Sequence, residues 1–460
     1  MPSNTDRSRR EFLALTSVGI AALAGCTDRS SLSSTAPSTT PTTTADADGP
    51  VDAIERDAVP VALVPDSDRL DAVASRLATV SIVGIGETSH GVAEFKTVPR
   101  LLVRRLVTDH GYRLLAMEGT LGDFASVNAY VTGGDVDLDT ALSSLDFYFW
   151  RTEGIGRLFA WLREFNRGRP ESAQVTVHGY DAQFHDVNAT AIRSYLRRVD
   201  PAYLDDVAAD LDPLTHPLYE QSDPEYMTPS HVSLLDSLRD RLRTHREAYI
   251  DRSSTAEWRL ARRHVWTTRR GLQFLDRLHA EAYTEGKRIR ERAMAENVAW
   301  LRDWADADRA IVIGNANHTM RNDSAGEGGG DTPPRMGQHL TDELGSDYYS
   351  LGLTFGTGEF AAPTNHDRTA FTTYTLDGPV EGSLEATLAV VDDPPFFLDF
   401  DTARRHAAVE RFLNETQSVQ FSVPRAATRG AVALPASPDS VYDGVVFVRT
   451  VSPASFVAGG

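Results

Sequence analysis

The sequence predicts an α/β protein of three layers, a parallel sheet covered by helices, carrying a large helical insertion. Three observations lead there. Short apolar runs rich in Val, Ile, Leu and Tyr recur with helical patterns between them, as expected of strands buried on both faces. Residues 188–301 carry no strand signal and show helical stripes instead. Several of the apolar runs also end in residues able to do chemistry, as the strands of an open parallel sheet often do.

The predicted core strands are Val80–Gly86, Arg113–Glu118, Gln174–Tyr180, Ala310–Gly314 and Tyr348–Thr354, with a late strand at Gly444–Thr450. Between the early ones, Phe95, Val98, Leu102 and Leu106 fall on one helical stripe, and Leu121–Val131 and Ile155–Phe165 repeat that pattern. In the insertion, Leu234, Leu238 and Leu242, and later Met294, Val298 and Leu301, mark helix faces. The expected organisation is therefore a core of 51–187 and 302–455 with residues 188–301 as a helical cap. The Gly/Asp/Pro-rich stretch 322–335 is expected to be a mobile loop beside the site.

The formal charge is −19 over 460 residues, and Lys96 and Lys287 are the only lysines. Acidity with almost no lysine is the habit of proteins from very salty surroundings, where a Debye length of about 3 Å at 1 M salt screens self-repulsion. The same charge argues against a nucleic-acid partner. The single cysteine, Cys26, excludes a disulfide framework and a cysteine nucleophile in the folded part.

Residues 1–26 read as an export address. Ser8-Arg9-Arg10-Glu11-Phe12-Leu13 is a twin-arginine signature, and the apolar run Leu13–Gly25 is short for a span of about 20 residues. It ends in Leu23-Ala24-Gly25-Cys26, a lipoprotein-like cleavage box that makes Cys26 a lipid-bearing first residue. Residues 27–50, rich in Ser, Thr, Pro, Ala and Asp, form an expected disordered tether. The expected location is the outer face of the cell membrane, through a lipid anchor.

The first core strand ends in Glu87 and His90, the second in Glu118, the third in Asp181 and Gln183, and the fourth in Asn315, Asn317 and His318. At one sheet edge these residues converge. The stretch Ile82–Phe95, IVGIGETSHGVAEF, is neither a phosphate loop nor a dinucleotide fingerprint. It approaches the G-x-S-x-G elbow of esterases, but Glu87 stands where the first glycine belongs, which disfavours Ser89 as nucleophile. A purely structural role is also open: Thr88 or Ser89 capping the next helix, with Glu87 in an ion pair. Gly91 next to His90 leaves room for a ligand to approach the backbone. His110 and His178 read as structural, and Tyr148 and Trp150 as packing or pocket-lining residues.

The string Gly86-Glu87-Thr88-Ser89-His90-Gly91 with Glu94-Phe95 and Ala116-Met117-Glu118 resembles the erythromycin esterase family. The resemblance continues through Phe149-Trp150-Arg151-Thr152-Glu153, His178-Gly179-Tyr180-Asp181-Ala182-Gln183, Arg290-Glu291-Arg292-Ala293-Met294 and Asn315-Ala316-Asn317-His318. It extends to Met336-Gly337, Tyr348-Tyr349-Ser350-Leu351-Gly352 and, weakly, Tyr442–Phe447. It implies an α/β fold with a helical insertion, hydrolysis of a macrolide's lactone ester, and a histidine acting as general base on water. Carried across, the base is His90, the site carboxylates are Glu87 and Glu118, and His318 matches the second histidine of the family's pair. This chain departs from the pattern with Asn315 for the first histidine of that pair, Pro99 for a basic residue, and Glu291 for an aspartate.

Ester hydrolysis needs a base near neutrality, a held water and donors for the oxyanion, and histidine as a residue type suits the first task. The expected catalytic set is His90, Glu87, Glu118, His318, Arg100 and Arg290, and the expected substrate-binding set is Ser89, Asp181, Gln183, Asn315 and Trp150. No cofactor is expected; the alternative is a divalent metal on Glu87, His90, Glu118 and His318, a donor set such ions accept. The expected partner is a small ester or lactone. Two rival readings remain open: a surface lipoprotein that binds its ligand without turnover, and a hydrolase or transferase acting on envelope glycoconjugate esters.

Overall fold

The computed structural model describes residues 49–64, 69–321, 333–364, 370–392, 395–422 and 432–457. The export signal, nearly all of the tether and most of the expected loop at 322–335 lie outside them. The strands are β1 (Val59–Pro60), β2 (Ile82–Glu87), β3 (Leu114–Thr120), β4 (Thr176–Asp181), β5 (Ala310–Asn315), β6 (Tyr348–Pro363), β7 (Phe371–Leu376), β8 (Phe396–Asp399), β9 (Gln417–Ser422), β10 (Val432–Ala436) and β11 (Gly444–Val451). Nine of them form one sheet in the order β1-β8-β11-β6-β2-β5-β3-β4, with β7 on β6, while β9 and β10 pair separately. Pairing is parallel from β11 through β4 and antiparallel for β8, β1 and β7 at the margins.

Alternation along the strands explains the layers. Val83, Ile85, Leu115, Met117, Ile311 and Ile313 point to one face, where helices Arg69–Leu77, Glu94–His110, Ala125–Val131 and Glu153–Asn166 cover them. Ile82, Leu114, Ala116, Ala310 and Val312 point to the other, against Met294, Val298 and Leu301 of helix Tyr283–Trp304. Each Val, Leu, Ile or Met among them contributes about 1.5–3 kcal/mol of burial, so a strand with apolar residues at every position is held from both sides.

Between β4 and β5 every regular element is helical. Helices Asp186–Val199, Pro201–Leu211, Pro229–Thr244 and Thr255–His279 share a separate apolar cluster around Ile192, Leu196, Leu235, Leu238, Leu272 and Leu275. Helix Tyr283–Trp304 differs: its Met294–Val298–Leu301 stripe lies on the sheet, so the expected end of the cap at residue 301 falls inside a core helix. That helix brings Arg290 and Glu291 to the carboxyl edge of the sheet.

Candidate functional site

Strands β2, β5, β3 and β4 are neighbours, so their carboxyl ends set Glu87, Asn315, Glu118 and Asp181 in a row. Glu87 and Asn315 are direct partners in the register. Glycine at 314 makes room there: a Cβ would meet the Tyr180 hydroxyl and come within 3.1 Å of Glu118 Oε2.

The first half of the site lies around Glu87, which is 1 % exposed. His90 Nδ1 is 2.5 Å from Glu87 Oε1. Lys96 Nζ donates to both carboxylate oxygens, at 2.7 and 2.6 Å. Burial alone would raise the Glu87 pKa, but the Lys96 charge and the His90 hydrogen bond hold it below the usual carboxylate range. Burial presses the Lys96 pKa below its ordinary value against the pull of Glu87. The His90 ring stacks on Phe149 at 3.8 Å and 5° and stays about a quarter exposed at 24 %. The exposed member of this group is thus the imidazole.

The second half is a network around Glu118. Its Oε2 accepts from the Asn315 backbone N–H at 2.7 Å, and its Oε1 lies 3.6 Å from both Arg290 Nη2 and His318 Nε2. Arg290 grips Asp181 in a two-pronged pair, Nε to Oδ1 at 3.0 Å and Nη2 to Oδ2 at 2.6 Å. Asp181 Oδ1 also accepts from the Gln183 backbone N–H at 2.9 Å. Burial opposes ionisation of Asp181, yet Arg290 holds its pKa low. His318 Nδ1 is 2.6 Å from Glu291 Oε1. Burial would lower the His318 pKa; Glu291 and Glu118 outweigh it and raise the pKa above the ordinary value. The two halves touch electrostatically, since Glu118 also acts on Lys96.

The structure thus gathers Glu87, His90, Glu118, Asp181, Arg290 and His318 at one edge. It does not bring Arg100 there. Burial and the charges of Arg157 and Arg104 lower the Arg100 pKa, and among the described residues no site carboxylate pairs with it. Helix direction is the reason: Lys96, one turn earlier on the same helix, faces Glu87 instead.

Of the expected substrate-binding residues, Trp150, Asn315 and Ser89 have other uses. Trp150 is fully buried: its indole N–H donates to the Glu118 carbonyl at 2.5 Å, and its ring lies 4.5 Å from Lys96 Nζ. It backs the site rather than facing a ligand. Asn315 spends its side chain capping the Ala316–Thr319 turn, Oδ1 accepting from Asn317 N–H at 2.9 Å. Ser89 Oγ accepts from the Gly91 N–H at 3.4 Å and is 4 % exposed. Neither Thr88 nor Ser89 caps the next helix: Thr88 Oγ1 donates to the Leu353 carbonyl at 3.0 Å, and the Ala93 N-cap has no side-chain bond. The room at Gly91 is filled by the protein itself, because a Cβ there would collide with the Ala361 carbonyl.

The four nominated metal donors do not form one set. Glu87 carries the Lys96 ammonium on both oxygens and Glu118 faces the Arg290 guanidinium. Among the described residues no three His, Cys, Asp or Glu side chains are arranged to hold a metal ion.

Two participants escaped the sequence reading. Lys96 had a signal, being one of two lysines in an arginine-dominated chain and nine residues after Glu87. Glu291 stood in the sequence only as a departure from a motif, with nothing to show that it reaches His318.

A model of the erythromycin esterase family, described as erythromycin esterase, matches residues 107–451. Glu118, Asp181, Arg290, Glu291 and His318 lie inside that span, and Glu87, His90 and Lys96 precede it. The chain is similar to erythromycin esterase type II of Escherichia coli, 25 % identical over 338 residues that cover 67 % of this chain and 78 % of the relative. It is similar to the putative hydrolase YbfO of Bacillus subtilis (strain 168), 23 % identical over 401 residues, 82 % of this chain and 85 % of the relative. Its fold is similar to a mutant of the erythromycin esterase EreC solved in an open conformation, with TM-score 0.64 at 17 % identity; the match covers 86 % of this chain and 97 % of that one. With the matched span running from the helix after β2 to the end of β11, the chain belongs to the erythromycin esterase family.

Proposed function

We propose that this protein hydrolyses a carboxylic ester or lactone with water activated by His90. The observation that carries the reading is the bond between His90 Nδ1 and Glu87 Oε1 at 2.5 Å, made by an imidazole that remains partly exposed. A proton held on Nδ1 by a buried carboxylate leaves Nε2 as the acceptor. Nε2 takes a proton from water as its oxygen attacks the carbonyl carbon. The tetrahedral intermediate collapses, the carbon–oxygen bond to the alcohol breaks, and the same proton passes to the departing alkoxide. A positioned general base is worth about 10²–10⁴-fold. In this scheme Arg290 and His318, both 3.6 Å from Glu118 Oε1, stabilise the developing oxyanion, and each such donor contributes on the order of 3 kcal/mol. Glu118 would hold the water or a second donor. In this proposal the hydrolase works outside the membrane on a lipid tether at Cys26, a part that rests on residues 1–50 alone.

The test is a panel of lactones and simple esters incubated in high salt with and without the protein. Turnover of at least one, kept within about threefold by Ser89→Ala, supports water activation over a serine nucleophile. Binding without turnover of any of them would instead mark a ligand-binding lipoprotein.

A further inference from the structure

We propose that Glu291 is a positioning residue for the reaction: it fixes the ring of His318 so that Nε2 faces the Glu118 side of the site. The inference rests on the reading of this edge as an ester-hydrolysing centre and assigns a task within it.

The geometry is specific. Glu291 Oε1 is 2.6 Å from His318 Nδ1, and Glu291 Oε2 accepts the Met336 backbone N–H at 2.9 Å. The carboxylate is therefore held by two unrelated segments, and it is 5 % exposed. Its neighbour Arg290 is also buried and reaches in another direction, to Asp181 and Glu118. Consecutive residues of a helix diverge by about 100°, so one turn of helix Tyr283–Trp304 serves both ends of the network. His318 sits in a four-residue helix, Ala316–Thr319, too short to orient a ring by itself. With Nδ1 bound to Glu291, His318 Nε2 is left 3.6 Å from Glu118 Oε1. The bond on one ring nitrogen decides which way the other faces and which proton it carries. A buried acid behind an imidazole acts in this way without touching substrate. The charged and titratable groups around Glu291 include His318, Arg290, Lys287, Arg335 and His339, so the carboxylate is ionised in a cationic surrounding and removal of its charge leaves His318 without its orienting partner.

The experiment compares Glu291→Gln and Glu291→Asp in the full chain, with histidine-selective 15N spectra and steady-state kinetics. His318→Asn identifies the His318 ring signals. In the wild type the His318 nitrogens should report a ring bound to a carboxylate at Nδ1. Glu291→Gln should change that pattern and lower kcat about 10²-fold with KM within about twofold. Glu291→Asp, one methylene shorter, should restore the ring pattern and most of kcat. The spectra need no substrate, so they decide the positioning claim even where no ester is turned over. An unchanged His318 pattern in Glu291→Gln overturns the proposal. So does a loss of kcat that Glu291→Asp does not recover while its His318 pattern matches the wild type.

Discussion

Lys96 Nζ bonds both oxygens of Glu87, at 2.7 and 2.6 Å, with both side chains almost fully buried. A pair this dry contributes little net stability when whole but is costly to break from one side, about 3–5 kcal/mol. Lys96→Met should therefore destabilise by that amount in denaturant unfolding, because Glu87 keeps its charge with only His90 beside it. Glu87→Gln combined with Lys96→Met should recover most of the loss. A single Lys96→Met as stable as the wild type would show that the pair does not hold the site together.

The Asn315 side chain caps the turn Ala316–Thr319 while its backbone N–H serves Glu118. Asn315→Ala keeps the backbone donor and removes the cap. It should cost about 1 kcal/mol of stability and leave kcat/KM within about threefold. A large rise in KM with unchanged stability would return Asn315 to the role of substrate contact.

Three histidines outside the site weaken the fold in mild acid. Burial pushes His178 down to about 4 and His185 and His264 down to about 3. Their folded forms are neutral while the unfolded chain takes up protons below about 6.5, so stability falls with falling pH from there. At pH 5 each costs on the order of 2 kcal/mol. His318 has the opposite sign. Its raised folded pKa gives stability that is complete below about 6.5 and is lost as pH climbs through the folded value. Glu87, held low, gives stability present above about 4.5 and lost only in stronger acid. Between pH 6.5 and 5 the three histidines pull the unfolding free energy down, while Asp186 and Glu385, each pushed up to about 7 by burial, pull it up, so the histidine slope is read as the difference between wild type and variant. His178→Phe, which keeps a ring against Trp304, should flatten that slope. A slope unchanged by His178→Phe would mean that this histidine does not contribute.

The parallel strands were legible because burial on both faces writes itself as an unbroken apolar run. Ile82–Glu87 and Ala310–Asn315 match their expected cores to within two residues at each end. The margins were not. β8 is the four residues Phe396–Asp399 and β1 only two, too short to show a period. β6 runs on to Pro363, nine residues past the expected Thr354, because its far half pairs with β7, a contact no local pattern announces. At the site, residues that end strands were readable, since the sheet delivers all strand ends to one edge. Lys96 and Glu291 were harder: both lie inside helices, where a buried charge looks like any solvated one until its partner is in place. Arg100 and Trp150 show the converse, side chains of suitable chemistry that helix direction and packing turn to other uses.

The central claim is that the imidazole of His90, braced by Glu87, is the base. Its most direct test is kcat/KM of His90→Asn on the best ester of the panel, at neutral pH and high salt, with folding checked by circular dichroism. The account predicts a fall of about 10³-fold with the fold intact. Turnover within threefold of the wild type would contradict it.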